Sequence, residues 1–225
     1  MQLVRLAQAV VLLAALGFAG AGPAQTKKNF EEATSADGLA KVKVKGIDLA
    51  YARPGLTLAA YSKIMLDPIP VTFRKDFDPK RTGSRIAVAT ADLERIRSEV
   101  AKIVQDEFAK ELAKGSYVTV TAAGPDVLQV RAEITDLYVN APDTMEAGRS
   151  RTYTTSAGEM TLILELADSE TGAVLARAYD RREARDTGTF SYTNSVTNRA
   201  EAERMANAWA RILRARLDAA RGIGK

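Results

Sequence analysis

The sequence of 225 residues predicts a single α+β domain, in which an antiparallel β-sheet carries two long helices packed on one face. Two segments, 91–114 and 198–221, repeat apolar residues at helical spacing, and each therefore has one apolar stripe. The other apolar segments are shorter, and most alternate with polar residues and are joined by turn sequences, which is typical of antiparallel strands. Because an apolar stripe has to be buried, we expect both helices to cover the sheet.

The N-terminal segment has the layout of a secretory signal peptide. Arg5 precedes an apolar run over residues 6–18, and small residues follow over 19–24. The run is shorter than the ~20 residues that span a bilayer. We predict a signal peptide over 1–24 with cleavage after Ala21 or Ala24, and an uncleaved anchor is the alternative.

The mature chain begins with a polar segment, residues 25–40, for which we predict a flexible or partly helical lead-in. The single α+β domain then spans 41–225. Lys and Val alternate over 41–45, which indicates an exposed edge strand, and 47–52 is a second short strand. The apolar segment 61–73 reads as a further strand. Pro68 and Pro70 interrupt it, so it should lie at a sheet edge or carry a bulge.

The first long helix is predicted over 91–114, with Thr90 as its cap and Gly115 as its end. Strands follow over 117–123 and 127–138, and the second of these alternates cleanly between apolar and polar residues. Strands over 159–166 and 173–179 flank a hairpin turn at 168–172.

The last helix is predicted over 198–221. Its apolar stripe consists of Met205, Trp209, Ile212, Leu213 and Leu217. Arg216 falls inside this apolar sector, so its side chain has to extend to solvent or meet a carboxylate.

The composition excludes several chemistries. The chain has no cysteine and no histidine, which removes disulfides, thiol nucleophiles, zinc–thiolate sites and the commonest general base. With 32 basic and 28 acidic residues the net charge is +4, or +3 without segment 1–24, and so mild a charge argues against nucleic-acid binding. We therefore expect no metal, no cofactor and no enzymatic activity.

The candidate acidic sites have structural explanations. Asp76 and Asp78 resemble the start of a calcium loop, but Lys80 stands where an oxygen ligand is needed, which favours a solvated charged loop. Asp168 is expected to serve the hairpin turn, and Asp67 is expected to bond to the backbone at a bend. Phosphate-loop and serine-nucleophile motifs are absent from the sequence. The remaining enzyme hypothesis uses carboxylates and arginine, and it requires a deep pocket with carboxylates of raised pKa.

Two long polar loops, 140–158 and 182–197, form the candidate binding surface. Loops held on a rigid sheet often bind ligands, and a forked guanidinium can bind a carboxylate or phosphate with two hydrogen bonds. The candidate residues are Arg149, Arg151, Tyr153, Phe190, Tyr192 and Asn194. The alternatives are a solvated loop, an internal salt bridge from the arginines to Asp143 or Asp180, and rings that close the core.

A second candidate surface lies on the last helix. Its arginines on one side are Arg204, Arg211, Arg214 and Arg221. They are candidates for contact with anionic lipid headgroups. Cations near a helix C-terminus also stabilise the helix dipole, which is the structural alternative.

Several motifs together resemble a known family. The segments 51–55 (YARPG) and 61–68 (YSKIMLDP) are followed by 124–128 (GPDVL), 140–143 (NAPD), 148–151 (GRSR) and 194–199 (NSVTNR). In this order they resemble the bacterial family catalogued as domain of unknown function 3313, from residue 36 to the last helix. The resemblance implies a Gram-negative envelope protein, often predicted to be a lipoprotein, and it supplies no catalytic residues. This chain departs from that pattern because it has no cysteine to acylate.

The leading hypothesis is a non-catalytic periplasmic binding or assembly module. The alternative is a peripheral membrane-surface protein that binds anionic lipid through the basic last helix. The expected location is periplasmic or secreted, with outer-membrane association as a variant. The expected partner is another envelope protein or an anionic lipid surface, and no transmembrane segment is expected in the mature chain.

Overall fold

The computed structural model describes residues 22–77, 90–115, 117–139, 152–154, 158–184, 191–193 and 195–223. The three helices are α1 (Pro23–Ala36), α2 (Thr90–Lys114) and α3 (Ser195–Ala220). The strands in chain order are β1 (Ala40–Val42), β2 (Leu49–Ala52), β3 (Lys63–Leu66), β4 (Val71–Phe73), β5 (Val118–Thr119), β6 (Val127–Val139), β7 (Thr152–Thr154), β8 (Gly158–Asp168), β9 (Val174–Glu183) and β10 (Ser191–Thr193). The chain is an α+β domain.

Eight of the described strands form one open sheet. Their order is β1-β2-β9-β8-β6-β3-β5, and β4 pairs with β6 on the same side as β3. The long strands β6, β8 and β9 are antiparallel to their neighbours in this central part. The two remaining strands, β7 and β10, pair with each other in a separate ribbon.

The sheet is mixed, so the expectation of an antiparallel sheet is wrong for one half of it. β3 runs parallel to both β5 and β6, and β4 runs parallel to β6. The reason is that α2 lies between β4 and β5 in the chain. A helix that crosses over between two strands returns the chain in the same direction, whereas a tight turn reverses it.

The two prolines divide the segment 61–73, which was predicted as one strand at a sheet edge or with a bulge, into two short strands. Strand β3 ends at Leu66 before Pro68, and β4 begins at Val71 after Pro70, so the two short strands follow each other along β6. The Asp67 amide donates to the Val130 carbonyl (3.0 Å), and the Ile134 amide donates to the Pro70 carbonyl (2.9 Å). Proline is tolerated here because its missing N–H is not needed for pairing with β6.

The main core contains the apolar stripes of α2 and α3 and alternate residues of β6 and β8. Its buried members include Val100, Val104, Phe108, Leu112, Leu128, Val130, Ile134, Met160, Leu162, Leu164, Met205, Trp209, Leu213 and Leu217. Trp209 also donates its indole N–H to a carboxylate oxygen of Asp180 on β9, at 2.6 Å. The side chains predicted for the two stripes are therefore largely those that the fold buries.

Within the segment expected to be a lead-in, the structure has helix α1. Pro23 stands in its first turn, where the missing N–H costs no hydrogen bond. The side chain of Phe30 is 1% exposed and packs against the rings of Tyr51 and Tyr179, at centroid distances of 6.1 and 5.7 Å. With Leu49 and Ile163, these residues form a second, smaller core. α1 therefore packs on the small core, which uses the alternate residues of β8 from those in the main core.

Candidate binding cleft

An open cleft lies between the first halves of α2 and α3, where β6 ends and β8 begins. Its volume is about 80 Å³. The apolar lining consists of Ile96, Val100, Ile103, Leu137, Val139, Met160, Ala184, Ala202 and Met205. Charged residues of both helices stand around this lining, namely Arg95, Glu99, Arg199 and Glu201. The cleft thus combines an apolar floor with a charged rim.

Gly158 allows the strands to meet at this end of the sheet. Its φ is +141°, a conformation that side chains rarely adopt. A Cβ added to Gly158 would overlap the carbonyl oxygen of Tyr138 on the neighbouring strand. The absence of a side chain therefore lets β8 begin directly beside the end of β6, which places Val139 and Met160 in the lining of the cleft.

The charges around the cleft are paired. Arg95 lies 3.3 Å from both Asp92 and Glu99 along α2. Arg199 lies 2.9 Å from Glu203 along α3. Because these cations have carboxylate partners, the rim has little charge to attract an ionic ligand, and the apolar floor is the main source of attraction.

Glu159 is a residue of β8 at the edge of the cleft, and its carboxylate belongs to the charged face of the sheet. It accepts hydrogen bonds from Arg74 and Arg181, which come from the chain after β4 and from β9. The Arg74 guanidinium also lies 4.1 Å from the ring centre of Tyr138. Glu159 is therefore held by two arginines, which is the arrangement of a structural ion pair rather than a general acid.

The two loops of the candidate binding surface leave the sheet at this cleft. The first begins after Val139 and ends before Gly158, the second begins after Ala184, and these three residues line the cleft. Within the loops β7 pairs with β10, and Tyr153 lies opposite Tyr192 in the register. Arg149, Arg151, Phe190 and Asn194 lie outside the described residues, and for Tyr153 and Tyr192 the structure describes the backbone pairing alone. The binding role of these six residues stays a prediction.

Three of the four arginines predicted to face a membrane have partners within the protein. Arg204 donates to Glu201 at 2.7 Å, and Arg214 lies 3.3 Å from both Glu111 and Asp218. The Arg221 guanidinium lies 5.0 Å from the ring centre of Tyr117. Arg211 is exposed. Their membrane role stays a prediction.

Carboxylates of raised pKa lie outside the cleft. Asp136 is 2% exposed and has a φ of +53°, at a bulge in β6 between Thr135 and Tyr138. Burial raises its pKa, and the hydroxyl of Thr26 and the guanidinium of Arg74 lower the pKa only in part. Burial, together with Asp136, also raises the pKa of Glu133. Both carboxylates lie on the sheet face that carries α1, away from the cleft lining.

The other acidic residues considered in the sequence have local partners. Asp168 accepts hydrogen bonds from the Thr171 amide (2.8 Å) and from the Tyr61 hydroxyl (2.9 Å), so it serves the turn as predicted. These bonds lower the pKa of Asp168, while burial, with Asp168 beside it, raises the pKa of Tyr61 to about 12. Asp67 accepts from the Gln129 side chain (2.7 Å), which corrects the expectation of a backbone partner. Within the described residues, no group of three acidic side chains is arranged to hold a metal.

The residues that form the cleft could not be recognised in the sequence. Val139, Met160 and Ala202 look like ordinary core positions, and only their place at the end of two diverging elements makes them a cleft lining. The one local signal is Gly158, at the start of strand β8. A glycine at a strand end often marks a close approach of two backbones.

The fold and cleft define an α+β protein with a mixed sheet and an apolar cleft at one end of it. The chain belongs to the family described as "Protein of unknown function (DUF3313)", whose profile matches residues 30–213. No curated protein matches this chain. Across the described residues, no helix is both long and apolar enough to cross a membrane.

Solved structures show remote similarity. The PelC dodecamer from Paraburkholderia phytofirmans is 12% identical, with a TM-score of 0.38, and the match covers 78% of this chain and 98% of that one. A Xanthomonas campestris protein of the DUF330 family is 11% identical, with a TM-score of 0.39, and the match covers 75% of this chain and 93% of that one.

Proposed function

We propose that the mature chain is a non-catalytic binding module of the bacterial envelope, and that its cleft holds an apolar side chain of a partner protein. The observation that carries the proposal is the size and lining of the cleft. Its volume of about 80 Å³ is several times smaller than the ~300–1,000 Å³ of pockets that enclose small molecules. A single apolar side chain fits such a space better than a metabolite does.

The surroundings of the cleft suit a protein interface. Interfaces place a few buried anchor side chains in apolar pockets and surround them with a polar rim. Burying one Leu-sized side chain contributes ~2 kcal/mol, which is too little for stable binding alone. The rest of the contact would come from the two loops that leave the sheet beside the cleft, which carry Tyr153 and Tyr192. Tyr is among the residues that are enriched at interfaces.

Export to the periplasm is part of the proposal. It is supported by the charge and hydropathy pattern of residues 1–24 and by the resemblance to envelope proteins. Of the two cleavage sites, the first is favoured because Gly22 caps α1 and Pro23 stands in its first turn. Cleavage after Ala24 would remove both residues, together with the Pro23 carbonyl that accepts a hydrogen bond from Tyr179.

The test is a pair of matched variants on α3. Ala202→Leu adds bulk inside the cleft, whereas Ala215→Leu adds the same bulk at an exposed position of the same helix. Each mature variant is captured from crosslinked envelopes beside the natural protein. We expect one stoichiometric partner that Ala215→Leu retains and Ala202→Leu loses. A partner retained by both variants would remove the cleft from the proposal.

Turnover of a substrate by the purified protein would contradict the non-catalytic part of the proposal. A broad hydrolase screen of the mature protein is the direct measurement. The chain offers no histidine or cysteine for such chemistry, so any activity would have to use carboxylates and arginines. Glu133 and Asp136, the carboxylates of raised pKa among the described residues, would then be the first to substitute.

The membrane-surface alternative has one supporting observation, the exposed Arg211 on α3. It predicts co-sedimentation of the mature protein with anionic liposomes, lost at high salt and weakened by Arg211→Glu. An absence of binding at low salt would remove this alternative.

A further inference from the structure

A cationic groove lies along the outer edge of the sheet. It is an open concavity of about 740 Å³, lined by strand β1, the turn that leads from β1 to β2, and one residue of α3. Its cations are Lys41, Lys43, Lys45 and Arg216. We call this surface the edge groove. It lies at the opposite edge of the sheet from β3 and β5 and shares no residue with the apolar cleft.

The positive charge of the edge groove is not compensated. Elsewhere most arginines and lysines have partners, such as Lys63 with Asp126 and Arg131 with Glu165. In the described part of the chain, none of the four edge-groove cations has an ion pair or side-chain hydrogen bond. The only carboxylate in the lining is Asp48, which accepts a hydrogen bond from the Arg181 amide at 3.2 Å. The groove therefore presents four cations against one occupied carboxylate.

The backbone of β1 is available for pairing. β1 hydrogen-bonds to β2 on one side and has no second neighbour among the described strands. All three of its residues are exposed, and Val42, between two lysines, is 40% exposed. An edge strand of this kind offers a row of N–H and C=O groups to which an extended segment can add.

Lysines on an edge strand can simply prevent aggregation, since they discourage pairing with other chains. That role explains Lys41 and Lys43, but it does not explain Arg216. Arg216 comes from a different element and lies one turn after Ile212, a residue that packs against the turn at Gly46. Arg216 lines the groove without forming an ion pair with Asp48. Two separate elements thus direct cations into one concavity.

The chemistry of the edge groove selects its occupant. A second copy of the chain, paired edge to edge, would place lysines close to lysines, which is unfavourable. A flat bilayer would contact the rim of a concave groove and leave the strand edge unused. An acidic extended segment would supply carboxylates to the edge-groove cations and hydrogen-bond partners to the free backbone groups of β1. We propose that the edge groove binds an extended acidic segment of a partner protein, which adds to β1 as a further strand.

The probe is a peptide that alternates Val and Glu, labelled and titrated against the full mature protein by fluorescence anisotropy. In a strand, alternate side chains share one face, so its carboxylates can lie along the lysines. Two control peptides have the same length. One replaces Glu by Lys, and the other keeps the Glu residues but contains prolines that prevent strand addition. We expect binding of the Val–Glu peptide alone.

The protein variants are matched single charge reversals. Arg216→Glu acts inside the edge groove, whereas Lys75→Glu reverses an exposed cation outside it. We expect about tenfold weaker peptide binding for Arg216→Glu, because a like charge is placed beside the ligand, and little change for Lys75→Glu. Ala202→Leu should leave peptide binding unchanged, so this test is independent of the apolar cleft.

Three results would overturn the inference. The first is an absence of Val–Glu peptide binding at low salt. The second is equal binding of the proline-containing peptide, which would mean general charge attraction without strand addition. The third is equal weakening by Arg216→Glu and Lys75→Glu, which would place the contact outside the groove. Vesicles of anionic lipid are tested in parallel, and Arg216-dependent vesicle binding without peptide binding would assign the groove to lipid.

Discussion

The two faces of the central strands differ sharply, although alternate residues of the same strands supply both. On the face of the main core, β6 and β8 present apolar side chains. On the other face their charged side chains pair with neighbouring segments. Arg131 and Glu165 join Arg177 of β9 at one end, and Glu159 joins Arg74 and Arg181 at the other. Between these two networks α1 is held by the small core around Phe30.

The difference separates the source of stability from the source of specificity. Apolar burial stabilises in proportion to the area removed from water, whereas ion pairs roughly offset the cost of their own desolvation. We therefore expect the face under α2 and α3 to supply most of the free energy of unfolding. The charged face should instead determine where α1 docks, because each charge accepts only partners at particular positions.

The largest expected effect is on the apolar face. Leu128 is fully buried in the main core, and Leu128→Ala should reduce the free energy of unfolding by ~3 kcal/mol, through lost burial and the cavity left behind. The measurement is chemical denaturation followed by circular dichroism. The control is Val118→Ala on the exposed strand β5, which should change stability by less than ~0.5 kcal/mol. Equal effects would refute the assignment of the core.

A smaller effect is expected for Phe30→Ala on the opposite face. A buried core phenylalanine typically contributes ~3–5 kcal/mol, but α1 can detach from the sheet while the main core stays folded. The loss should therefore be about 2 kcal/mol and confined to α1. Hydrogen exchange checks this, since the amides of α1 should lose protection while those of β6 and β8 keep it. Loss of protection throughout the sheet would show that the two cores unfold together.

Glu111 of α2 is a buried charged residue beside α3. It accepts hydrogen bonds from Lys114 and from Asn207 of α3, and the Lys114 bond lowers its pKa in spite of burial. A lowered folded-state pKa contributes stability above the ordinary Glu value of ~4.3, and this contribution is lost as the pH falls through the folded-state pKa. Glu111→Gln should cost about 1–2 kcal/mol at pH 7.

The pH dependence tests this assignment directly. The cost of Glu111→Gln should shrink as the solution is acidified, because the natural carboxyl is then protonated as well. Unfolding is measured at pH 7 and at pH 3 for both proteins. The control is Glu99→Gln on the exposed side of α2, where little change is expected at either pH. A cost that stays constant with pH would show that Glu111 acts through packing alone.

Asp136 should behave in the opposite way, with the smallest effect of the four. Its pKa is raised by burial, and one of its carboxylate oxygens has no hydrogen-bond partner among the described residues. Its ionisation therefore opposes folding as the pH rises from the ordinary Asp value through the raised folded-state value. Asp136→Asn should stabilise the protein by about 1 kcal/mol at pH 7 and have little effect near pH 3.

Asparagine is the suitable replacement because it tolerates the positive φ of this position almost as well as aspartate does. The measurement is the midpoint of urea unfolding at the two pH values. Asp106→Asn, at an exposed position of α2, is the control. Destabilisation by Asp136→Asn at pH 7 would mean that neighbouring groups in the folded protein stabilise the ionised carboxylate of Asp136.

Local patterns predicted much of the fold. The spacing of apolar residues located both long helices, the alternation of Lys and Val located the edge strand β1, and Pro68 and Pro70 located the break between β3 and β4. These features depend on residues within one or two turns of each other, so they can be read along the chain. The role of Asp168 in its turn is local in the same sense.

Contacts between distant segments could not be predicted in this way. The parallel pairing of β3 and β4 with β6 depends on where the chain returns after α2. The helical packing of α1 depends on Tyr51 and Tyr179, which strands β2 and β9 place beneath Phe30. From its polar composition alone, this segment was predicted to be a flexible or partly helical lead-in. The helix forms because tertiary burial of a single aromatic side chain can order a helix that its own sequence barely favours.

By itself the sequence determined the class of the domain, the approximate limits of its two long helices and the residue types, cysteine and histidine, that its chemistry cannot use. Only the tertiary structure decided the direction of half the sheet, the apolar cleft and the edge groove. The physical reason is that helical and strand periodicity are short-range properties of the chain. A cleft or groove exists only where separate elements come together, as Met160 and Ala202 do in lining the cleft and Lys43 and Arg216 do in lining the edge groove.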